Sequence, residues 1–587
     1  MISHGLIIMS IGSSATAFMI SSTIKGEQRT FAKPSNSVIL ATSQIDDRMV
    51  ASTTSTQTND PFANFDYENH WYPVIWECDL EMNEPTKVTV FDVDYVVAKV
   101  KSSSDDEQME VIAMKDFCTH KGAALSQGRI TEGGNFQCAY HGWTFSGKTG
   151  DCIEIPQIIK SVDEDTKQIS ATIPSRACTD AVPAQIHQGM VWLFPGGGLE
   201  KALLAPPPPS IPEFDNMKLG TYVRDMPVDF SILLSNICDP DHGLFAHQEV
   251  NFDPYTASLD CPFEDFQSVE TYNGLGWTLK SKIDSKAKLT QVDQSLRDRL
   301  DPKRKKSKKK IPQEGTKWAT TILEAPAHVR MQRVDKESQD TKFISVFYVC
   351  PVGVGRSRFF GGGLGAISIP RWINFLMVSN FVDQDTYLLA TQQKYVLAQE
   401  ADDLRTLMEE NGIDRSDLES TKTLRMRTRR NMFCLPSPTD RISSKLDQFW
   451  DSTLVRCPNR AKTLLKLDES GKFLETPTRE FVLDRKTQNL DICLDSQGTV
   501  RNCKRAKKIT KILSVALFLS KCMSLTTPSS NLFKSALKSS SMVASFGLLY
   551  VVSFLANKLE KEYYFKYTDD MRRDDMAKIP KKIWIDR

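Results

Sequence analysis

Four residues capable of binding a metal lie in two short, similar stretches of the sequence. Cys118-Thr119-His120 supplies one thiol and one imidazole, and Cys138-Ala139-Tyr140-His141 supplies a second pair. Thiolates and imidazoles are protein ligands for zinc and iron. Two Cys and two His fit a tetrahedral zinc site, and they also fit a two-iron cluster with two Cys on one iron and two His on the other. The chain has only 8 His in 587 residues, so their grouping is informative.

The spacing of these four residues favours the iron–sulfur cluster over structural zinc. Each stretch contributes one Cys and one His, and the glycines Gly128, Gly133, Gly134, Gly142 and Gly147 lie between or just after them. This arrangement resembles the two-loop motif of Rieske [2Fe–2S] proteins, which implies that both Cys and both His bind the cluster. Histidine ligation raises the reduction potential above that of all-Cys clusters, which suits electron transfer from a reductase or ferredoxin.

A second group of metal-binding residue types lies at residues 236–247. His242 and His247 occur in one short stretch and can face a single metal. A carboxylate would complete the two-His, one-carboxylate set that binds non-haem iron(II) and leaves positions open for O₂. An isolated His pair more often belongs to the surface or the core, but its place downstream of the Rieske motif favours iron.

The order of the two motifs resembles that of Rieske non-haem iron oxygenases. In that family the third iron ligand is an Asp on a later helix, in a pattern like Phe-x-x-x-Asp followed by Gln, and residues 381–392 match it. The resemblance implies Asp385 as the third ligand, with Asp383 in reserve. It also implies that Asp239 is a buried bridge between a Rieske His and an iron-bound His, and that Asn236 lies near the iron. The alternative is that Asp239 merely caps a helix.

Composition excludes several classes of protein. The chain is 40% hydrophobic and 25% charged, which is ordinary for a globular protein. Its net charge of +1 argues against a nucleic-acid binder, which usually has a basic excess. A mean hydropathy of −0.33 excludes a polytopic transporter but leaves room for one or two anchoring helices. The 13 Cys, an odd number spread over a long chain, indicate metal ligands or free thiols rather than a disulfide framework.

The pattern of strands and helices predicts an α+β protein. Short β-rich stretches predict an all-β Rieske domain over 66–195, and four consecutive prolines make 196–214 a stiff linker. A mixed segment at 215–460 follows as the catalytic mononuclear-iron domain, for which the resemblance implies a central antiparallel sheet with helices. Residues 371–400 lack Gly and Pro and repeat apolar residues at helical spacing, so they predict a helix. The basic run at 303–310 is interpreted as a solvated insertion loop, with a contact to anionic lipid or an acidic partner as the alternative.

Both ends of the chain carry segments that do not fit a soluble domain. Residues 1–60 combine a short apolar stretch, the small residues Ala15-Thr16-Ala17 before Phe18, and a Ser/Thr-rich tail, which resembles the bipartite presequences of plastid proteins. A disordered tail is the alternative. At 505–560 the uncharged stretch 541–556 and the shorter apolar stretch 512–519 predict a weak hydrophobic membrane hairpin, against a pair of amphipathic surface helices.

Further motifs resemble the plastid pheophorbide a oxygenase family. These are Trp71-Tyr72-Pro73-Val74, Cys152-Ile153-Glu154-Ile155-Pro156-Gln157, Ser175-Arg176-Ala177-Cys178 and Lys561-Glu562-Tyr563-Tyr564-Phe565. Two departures stand out. Thr119 occupies a position that is commonly Pro in the family. The Cys-x-x-Cys that members often carry before the tail is reduced to Cys503, with Cys493 upstream, so control by thioredoxin is doubtful.

The resemblance implies a Rieske-type oxygenase that uses O₂ and ferredoxin electrons on a chlorin macrocycle, with pheophorbide a in chlorophyll breakdown as the leading substrate. The alternatives are a hydroxylase of the chlorophyllide or protochlorophyllide type, and a membrane-anchored redox component of plastid protein import. The implied cofactors are a [2Fe–2S] cluster and mononuclear non-haem Fe(II). The implied setting is a chloroplast membrane, with C-terminal anchoring and a head-to-tail homotrimer.

Overall fold

The computed structural model describes a large part of the chain, in twelve ranges. They are residues 60–102, 109–158, 161–162, 169–170, 173–215, 218–240, 242–247, 263–284, 317–365, 369–471, 477–525 and 532–566. The targeting segment predicted at 1–60, apart from Asp60, and the basic run at 303–310 lie outside the described residues.

The N-terminal part of the described chain is built from short antiparallel strands, as the sequence predicts. In chain order they are β1 (Tyr72–Trp76), β2 (Thr86–Val90), β3 (Val93–Lys101), β4 (Met109–Lys115), β5 (Arg129–Ile130), β6 (Phe136–Gln137), β7 (Thr144–Phe145), β8 (Cys152–Glu154), β9 (Ser161–Val162), β10 (Ile169–Ser170), β11 (Ala184–His187) and β12 (Met190–Leu193). Their sheets have the orders β1-β12-β11, β2-β3-β4, β5-β6-β7-β8 and β10-β9.

Strand β3 separates two hydrophobic cores. Successive side chains of a strand point to opposite faces. Tyr95 and Val97 accordingly pack into the main core, whereas Val96 and Ala98 pack into a smaller core that also contains Cys118 and Cys138. Because both faces of the strand are buried, residues 95–98 are all apolar and do not alternate between apolar and polar. The smaller core supports the loops that carry the predicted cluster ligands.

The segment after the linker forms one seven-stranded antiparallel sheet, which confirms the predicted α+β class. Its strands are β13 (Lys218–Met226), β14 (Asp265–Thr271), β15 (Gly276–Asp284), β16 (Lys317–Glu324), β17 (His328–Asp335), β18 (Thr341–Gly353) and β19 (Arg356–Gly365). Their order in the sheet is β13-β19-β18-β17-β16-β15-β14, so β13 crosses over to the far edge beside β19.

Helices cover this sheet and form the C-terminal region. They are α1 (Leu199–Leu204), α2 (Phe230–Cys238), α3 (His242–Phe245), α4 (Arg371–Glu410), α5 (Leu418–Thr421), α6 (Thr428–Met432), α7 (Arg441–Thr453), α8 (Arg460–Glu469), α9 (Arg479–Val482), α10 (Leu494–Leu525) and α11 (Leu532–Tyr563). Helix α4 is the one predicted over 371–400, and it continues to Glu410 because no Gly or Pro interrupts it before Gly412. Asn374 fixes α4 to the sheet by donating to the carbonyls of Gly220 and Thr221.

A tight turn joins the N-terminal domain to the sheet. Phe91 and Asp92, between β2 and β3, both have positive φ (53° and 61°), which turns the chain sharply. Their backbone N–H groups donate to the carbonyls of Pro351 and Val352 at 2.8 Å, at the end of β18. The β2–β3 hairpin is therefore hydrogen-bonded directly to the sheet of the second domain.

Helices α10 and α11 pack against each other, and their base is part of the main core. Tyr563 is fully buried and stacks on Phe375 of α4, with ring centroids 4.1 Å apart. Glu562 accepts a hydrogen bond of 2.9 Å from Arg485. Residues Ser541–Tyr563 form a helix that is long and apolar enough to cross a membrane, which by itself is weak evidence for a span.

Two candidate metal centres

The predicted cluster ligands lie on two loops that repeat the same turn. Cys118 follows β4 and Cys138 follows β6. Both cysteines are buried, with 2% of their surface exposed. In each loop the residue four positions after the Cys is a glycine, Gly122 or Gly142, whose N–H donates to the Cys carbonyl. Both glycines have a φ of +76°, a conformation that side chains rarely adopt. The sequence interpretation noted Gly142 but missed Gly122, although the matching Cys-x-x-x-Gly spacing was present.

The two imidazoles of this site meet at the surface above the buried thiols. The ring centroids of His120 and His141 are 4.6 Å apart, and His120 stacks on Trp143 at 4.5 Å with nearly parallel rings. Both His residues are half-buried. One Cys and one His from each loop therefore converge from opposite sides, with the thiols inside and the imidazoles outside.

The chemistry of these donors fits a Rieske cluster. The Nδ1 atom of His120 is buried and has no hydrogen-bond partner, which is costly unless a metal binds it. Burial, together with the neighbouring Cys138 thiol, raises the pKa of the Cys118 thiol above its ordinary value. Two adjacent buried thiols ionise readily only beside a positive charge, such as iron.

Thr119, which stands where the resembled family commonly has Pro, has a structural role of its own. Its hydroxyl donates a hydrogen bond of 2.6 Å to the carbonyl of Ala177. Nearby, the N–H of Cys152 donates to the sulfur of Cys178 at 3.3 Å. The motif at 175–178 thus supports the first ligand loop, and the motif at 152–157 supports the second, because Gln157 donates a hydrogen bond of 2.8 Å to the carbonyl of His141.

The second centre brings together two His and one Asp. One donor atom from each of His242, His247 and Asp385 lies within 4.8 Å of the others. The two Nε2 atoms are 3.3 Å apart, and Asp385 Oδ1 is 3.5 Å from His247 Nε2 and 3.8 Å from His242 Nε2. The side chains are almost buried, at 11%, 0% and 7% exposure for His242, His247 and Asp385. This two-His, one-carboxylate set can bind a mononuclear metal ion, and such sets bind non-haem iron(II).

Each imidazole of this centre is oriented through its other ring nitrogen. His242 Nδ1 lies 2.8 Å from the carbonyl oxygen of Asp239, and His247 Nδ1 lies 3.4 Å from the side-chain oxygen of Gln384. Because carbonyl oxygens only accept, Nδ1 carries the proton and Nε2 is left for the metal. Phe381 stacks on the His247 ring at 4.0 Å. The orienting role of Gln384 was missed from the sequence, although it directly precedes Asp385.

Asp383, the reserve ligand, belongs to a different cluster. Two residues on a helix are about 200° apart, so Asp383 and Asp385 face opposite sides of α4. The carboxylate of Asp383 is 1% exposed and accepts hydrogen bonds from Arg224 and from Arg485. Arg224 and Arg485 each bond further, to Gln488 and to Glu562 respectively. The structure therefore brings Asp385, and not Asp383, to the two His.

Asp239 and Asn236 lie on the last turn of α2, beside the triad. Asp239 is the C-cap of α2, and its carboxylate is 4.0 Å from His242 Nδ1. Its side chain is 39% exposed within the single chain, whereas the sequence analysis expected a buried bridge.

The side-chain oxygen of Asn236 is buried without a hydrogen-bond partner. Asn236 and Asp385 are the polar residues of a cavity whose other walls are Met226, Leu233, Ile237, Phe347, Phe359, Phe381 and Val382.

Comparison with known proteins finds a family match in each of two parts of the chain. Residues 70–168 match the family described as Rieske [2Fe-2S] domain, and residues 323–403 match the family described as Pheophorbide a oxygenase. The two matches coincide with the strands that carry the cluster loops and with the helix that carries Asp385.

Curated relatives are similar over part of their length. The chain is 27% identical to Protochlorophyllide-dependent translocon component 52 of Arabidopsis thaliana, over 57% of this chain and 60% of that protein. It is 35% identical to Pheophorbide a oxygenase of Oryza sativa subsp. japonica, over 34% of this chain and 36% of that protein. It is 27% identical to Flavonoid 8-hydroxylase 2 of Ocimum basilicum, over 56% of this chain and 60% of that protein. The matches thus span between about a third and three fifths of these relatives' length.

Among solved structures, Pseudomonas putida CBB5 NdmB aligns with 69% of this chain and 97% of its own, at 16% identity and a TM-score of 0.44. The family matches and the relatives agree with the two ligand sets described above. The chain contains a match to the Rieske [2Fe-2S] domain and, further along, a match to the Pheophorbide a oxygenase family, and over these parts it resembles the pheophorbide a oxygenases.

Proposed function

We propose that the protein is an oxygenase that uses O₂ and electrons from ferredoxin to oxidise a chlorophyll-derived macrocycle, with pheophorbide a as the leading substrate. The observation that carries the proposal is that one chain contains both a Rieske ligand set and a two-His, one-carboxylate triad. Electron delivery and O₂ activation need these two sites in combination. Relatives named Pheophorbide a oxygenase and Chlorophyllide a oxygenase support the substrate class.

The residue roles follow from the donor sets. In the proposal Cys118, His120, Cys138 and His141 hold the [2Fe–2S] cluster, and His242, His247 and Asp385 hold the iron. When bound, the cluster supplies single electrons and the iron activates O₂. Asp239 and Gln384 fix the protonated nitrogens of the two iron-binding imidazoles. Apolar side chains line the small cavity beside the iron ligands, and they favour the exclusion of water from the site.

We further propose that the Rieske domain of one subunit serves the iron of its neighbour in a homotrimer. Two exposed regions of the chain support this arrangement. The Asp239 carboxylate is accessible from outside the chain, and the aromatic side chains of Phe117 and Tyr140, next to the cluster ligands, are 54% and 63% exposed. A partner domain that covers them would bury Asp239 between the two centres. The heterologous contact would close as a ring.

The setting is proposed to be a plastid membrane. The relatives include several proteins whose names place them in the chloroplast, and the apolar helix Ser541–Tyr563 supports attachment at the C-terminal end. The relatives also support two alternative functions. One is a hydroxylase of the chlorophyllide or protochlorophyllide type, and the other is a redox component of protein import, as in the relative named Protein TIC 55.

Turnover of a substrate panel tests the proposal. Full-length protein is incubated with reduced ferredoxin, O₂ and, separately, pheophorbide a, chlorophyllide a, protochlorophyllide and a flavone, and the products are identified by mass spectrometry. We expect oxygen incorporation into pheophorbide a, and none with the His242→Ala variant as the matched control. Oxidation of the flavone alone would overturn the chlorin assignment. An absence of any product from a fully metallated protein would favour the redox-component alternative.

A further inference from the structure

The C-terminal helices carry a pronounced charge asymmetry. Residues 496–559 contain no Asp or Glu, although the whole chain has nearly equal numbers of acidic and basic residues. The cations of this segment are Arg501, Lys504, Arg505, Lys507, Lys508, Lys511, Lys521, Lys534, Lys538 and Lys558. The segment therefore carries a net positive charge that favours anions, most strongly at 501–511.

The described cations gather at the base of the α10–α11 pair. We call Arg501, Arg505, Lys508, Lys511 and Lys558 the basic collar. All five are exposed, and among the residues that the structure describes none of them forms an ion pair. The nearby Lys507 is not part of the collar, because it forms an ion pair of 2.6 Å with Glu560. This ion pair links α10 to α11. Within the described residues, the collar charges are therefore not neutralised by ion pairs and face solvent.

An apolar band begins immediately beyond the collar on both helices. On α10 the residues from Ile512 to Met523 rise about 17 Å at 1.5 Å per residue, and on α11 those from Val543 to Leu555 rise about 18 Å. The large apolar side chains that are exposed in this band are Ile512, Leu513, Val515, Phe518, Leu519, Met523, Val543, Leu548, Tyr550, Val551, Val552, Phe554 and Leu555. They occupy the outward faces of both helices, so neither helix presents the polar face of an amphipathic surface helix.

The base of the pair is fixed to the helix that bears Asp385. Arg485 joins Glu562 to Asp383 of α4, and the buried Tyr563 stacks on Phe375 of α4. The collar consequently has a fixed position relative to the proposed iron site.

We propose that the basic collar binds the anionic headgroups of a lipid bilayer into which the apolar band inserts. This inference rests on the membrane attachment proposed above and names the lipid class. Cations that adjoin exposed apolar side chains along both helices match anionic headgroups over hydrocarbon, since each Lys or Arg near such a surface adds to its attraction. A soluble acidic partner would match the collar but would leave the apolar band in water.

Flotation with lipid vesicles tests the collar on the full chain. Vesicles of phosphatidylcholine, with and without phosphatidylglycerol, are mixed with detergent-purified wild type and with the double variant Lys508→Glu/Lys511→Glu. The matched control is Lys462→Glu/Lys466→Glu, which makes the same charge change on exposed positions of α8. We expect the collar variant to bind phosphatidylglycerol vesicles at least about tenfold more weakly than wild type, and the control to match wild type. Raising NaCl from about 0.1 M to about 1 M should weaken binding of the wild type.

The outcomes separate the collar from the membrane attachment itself. Equal binding of wild type to both vesicle types, or an equal loss in the control variant, would overturn the collar. Tighter binding of wild type to soluble polyglutamate than to phosphatidylglycerol vesicles would assign the collar to an acidic protein and also overturn the proposal. Failure to float with either vesicle would instead refute the membrane attachment on which the inference rests.

Discussion

The two metal centres of this protein are built in opposite ways. The Rieske ligands all fall within residues 118–141, on two loops that repeat one turn, with buried thiols and surface imidazoles. The mononuclear triad combines His242 and His247 with a carboxylate on α4, more than a hundred residues later, and it is almost fully buried. The first centre is therefore a local feature of the chain, whereas the second depends on how α4 docks. Exposure suits a site that receives electrons, and burial suits one that must control O₂.

The sharpest contrast within the second centre is between two neighbouring carboxylates. Asp383→Asn would leave the buried Arg224 without its charge partner and Arg485 with Glu562 alone, so we expect the free energy of unfolding to fall by about 3–5 kcal/mol while iron still binds. Asp385→Asn should do the reverse, with loss of the mononuclear iron and little loss of stability. Urea unfolding and iron analysis of both variants measure this. Iron loss in Asp383→Asn with retention in Asp385→Asn would reverse the assignment.

We propose that coupling between the centres depends on Asp239. Asp239→Asn keeps the side-chain size and the backbone carbonyl that orients His242, but removes the negative charge. We expect both metals to stay bound and ferredoxin to reduce the cluster normally, while turnover falls by at least about 100-fold. Single-turnover kinetics with a pre-reduced cluster isolate the affected step. Turnover within a few-fold of wild type would limit Asp239 to its C-cap role.

Gln384 tests whether orientation of the buried imidazole matters. Gln384→Leu removes the oxygen that accepts from His247 Nδ1, so iron affinity should fall about 10- to 100-fold. Gln384→Glu keeps an acceptor and serves as the matched control, with affinity close to that of wild type. Titration of metal-depleted protein with Fe(II) gives the affinities, and the visible spectrum of the cluster should be unchanged. Equal affinities for the two variants would contradict the orienting role.

The smallest expected effect is a change in stability at the Rieske centre. Thr119→Val removes the hydrogen bond to the Ala177 carbonyl and should lower stability by about 1 kcal/mol, with the cluster retained. Thermal unfolding followed by the loss of cluster absorbance measures the change. A loss of the cluster at room temperature would show that the loop depends on Thr119 far more than one hydrogen bond explains.

The contrast between the centres also explains what the sequence could reveal. Cys118 and His120 could be recognised because the spacing of ligands within one loop is visible in the sequence. Helix α4 could be recognised because its apolar residues recur at helical spacing. The opposed roles of Asp383 and Asp385 were not, since they depend on Arg224 and Arg485, which reach α4 from β13 and from the segment before α10. The crossover of β13 to the far edge of the sheet was equally hidden, because strand pairing at long range leaves no local signature.

Metal stoichiometry tests the central claim, that two independent iron centres occupy one chain, most directly. Iron, zinc, acid-labile sulfide and the EPR spectrum of the reduced protein are measured for wild type and for His242→Ala. We predict about three irons and two sulfides per wild-type chain, and loss of one iron in the variant with the Rieske signal intact, because the two ligand sets share no residue. Zinc at Cys118 and Cys138, or loss of the Rieske signal in His242→Ala, would contradict the account.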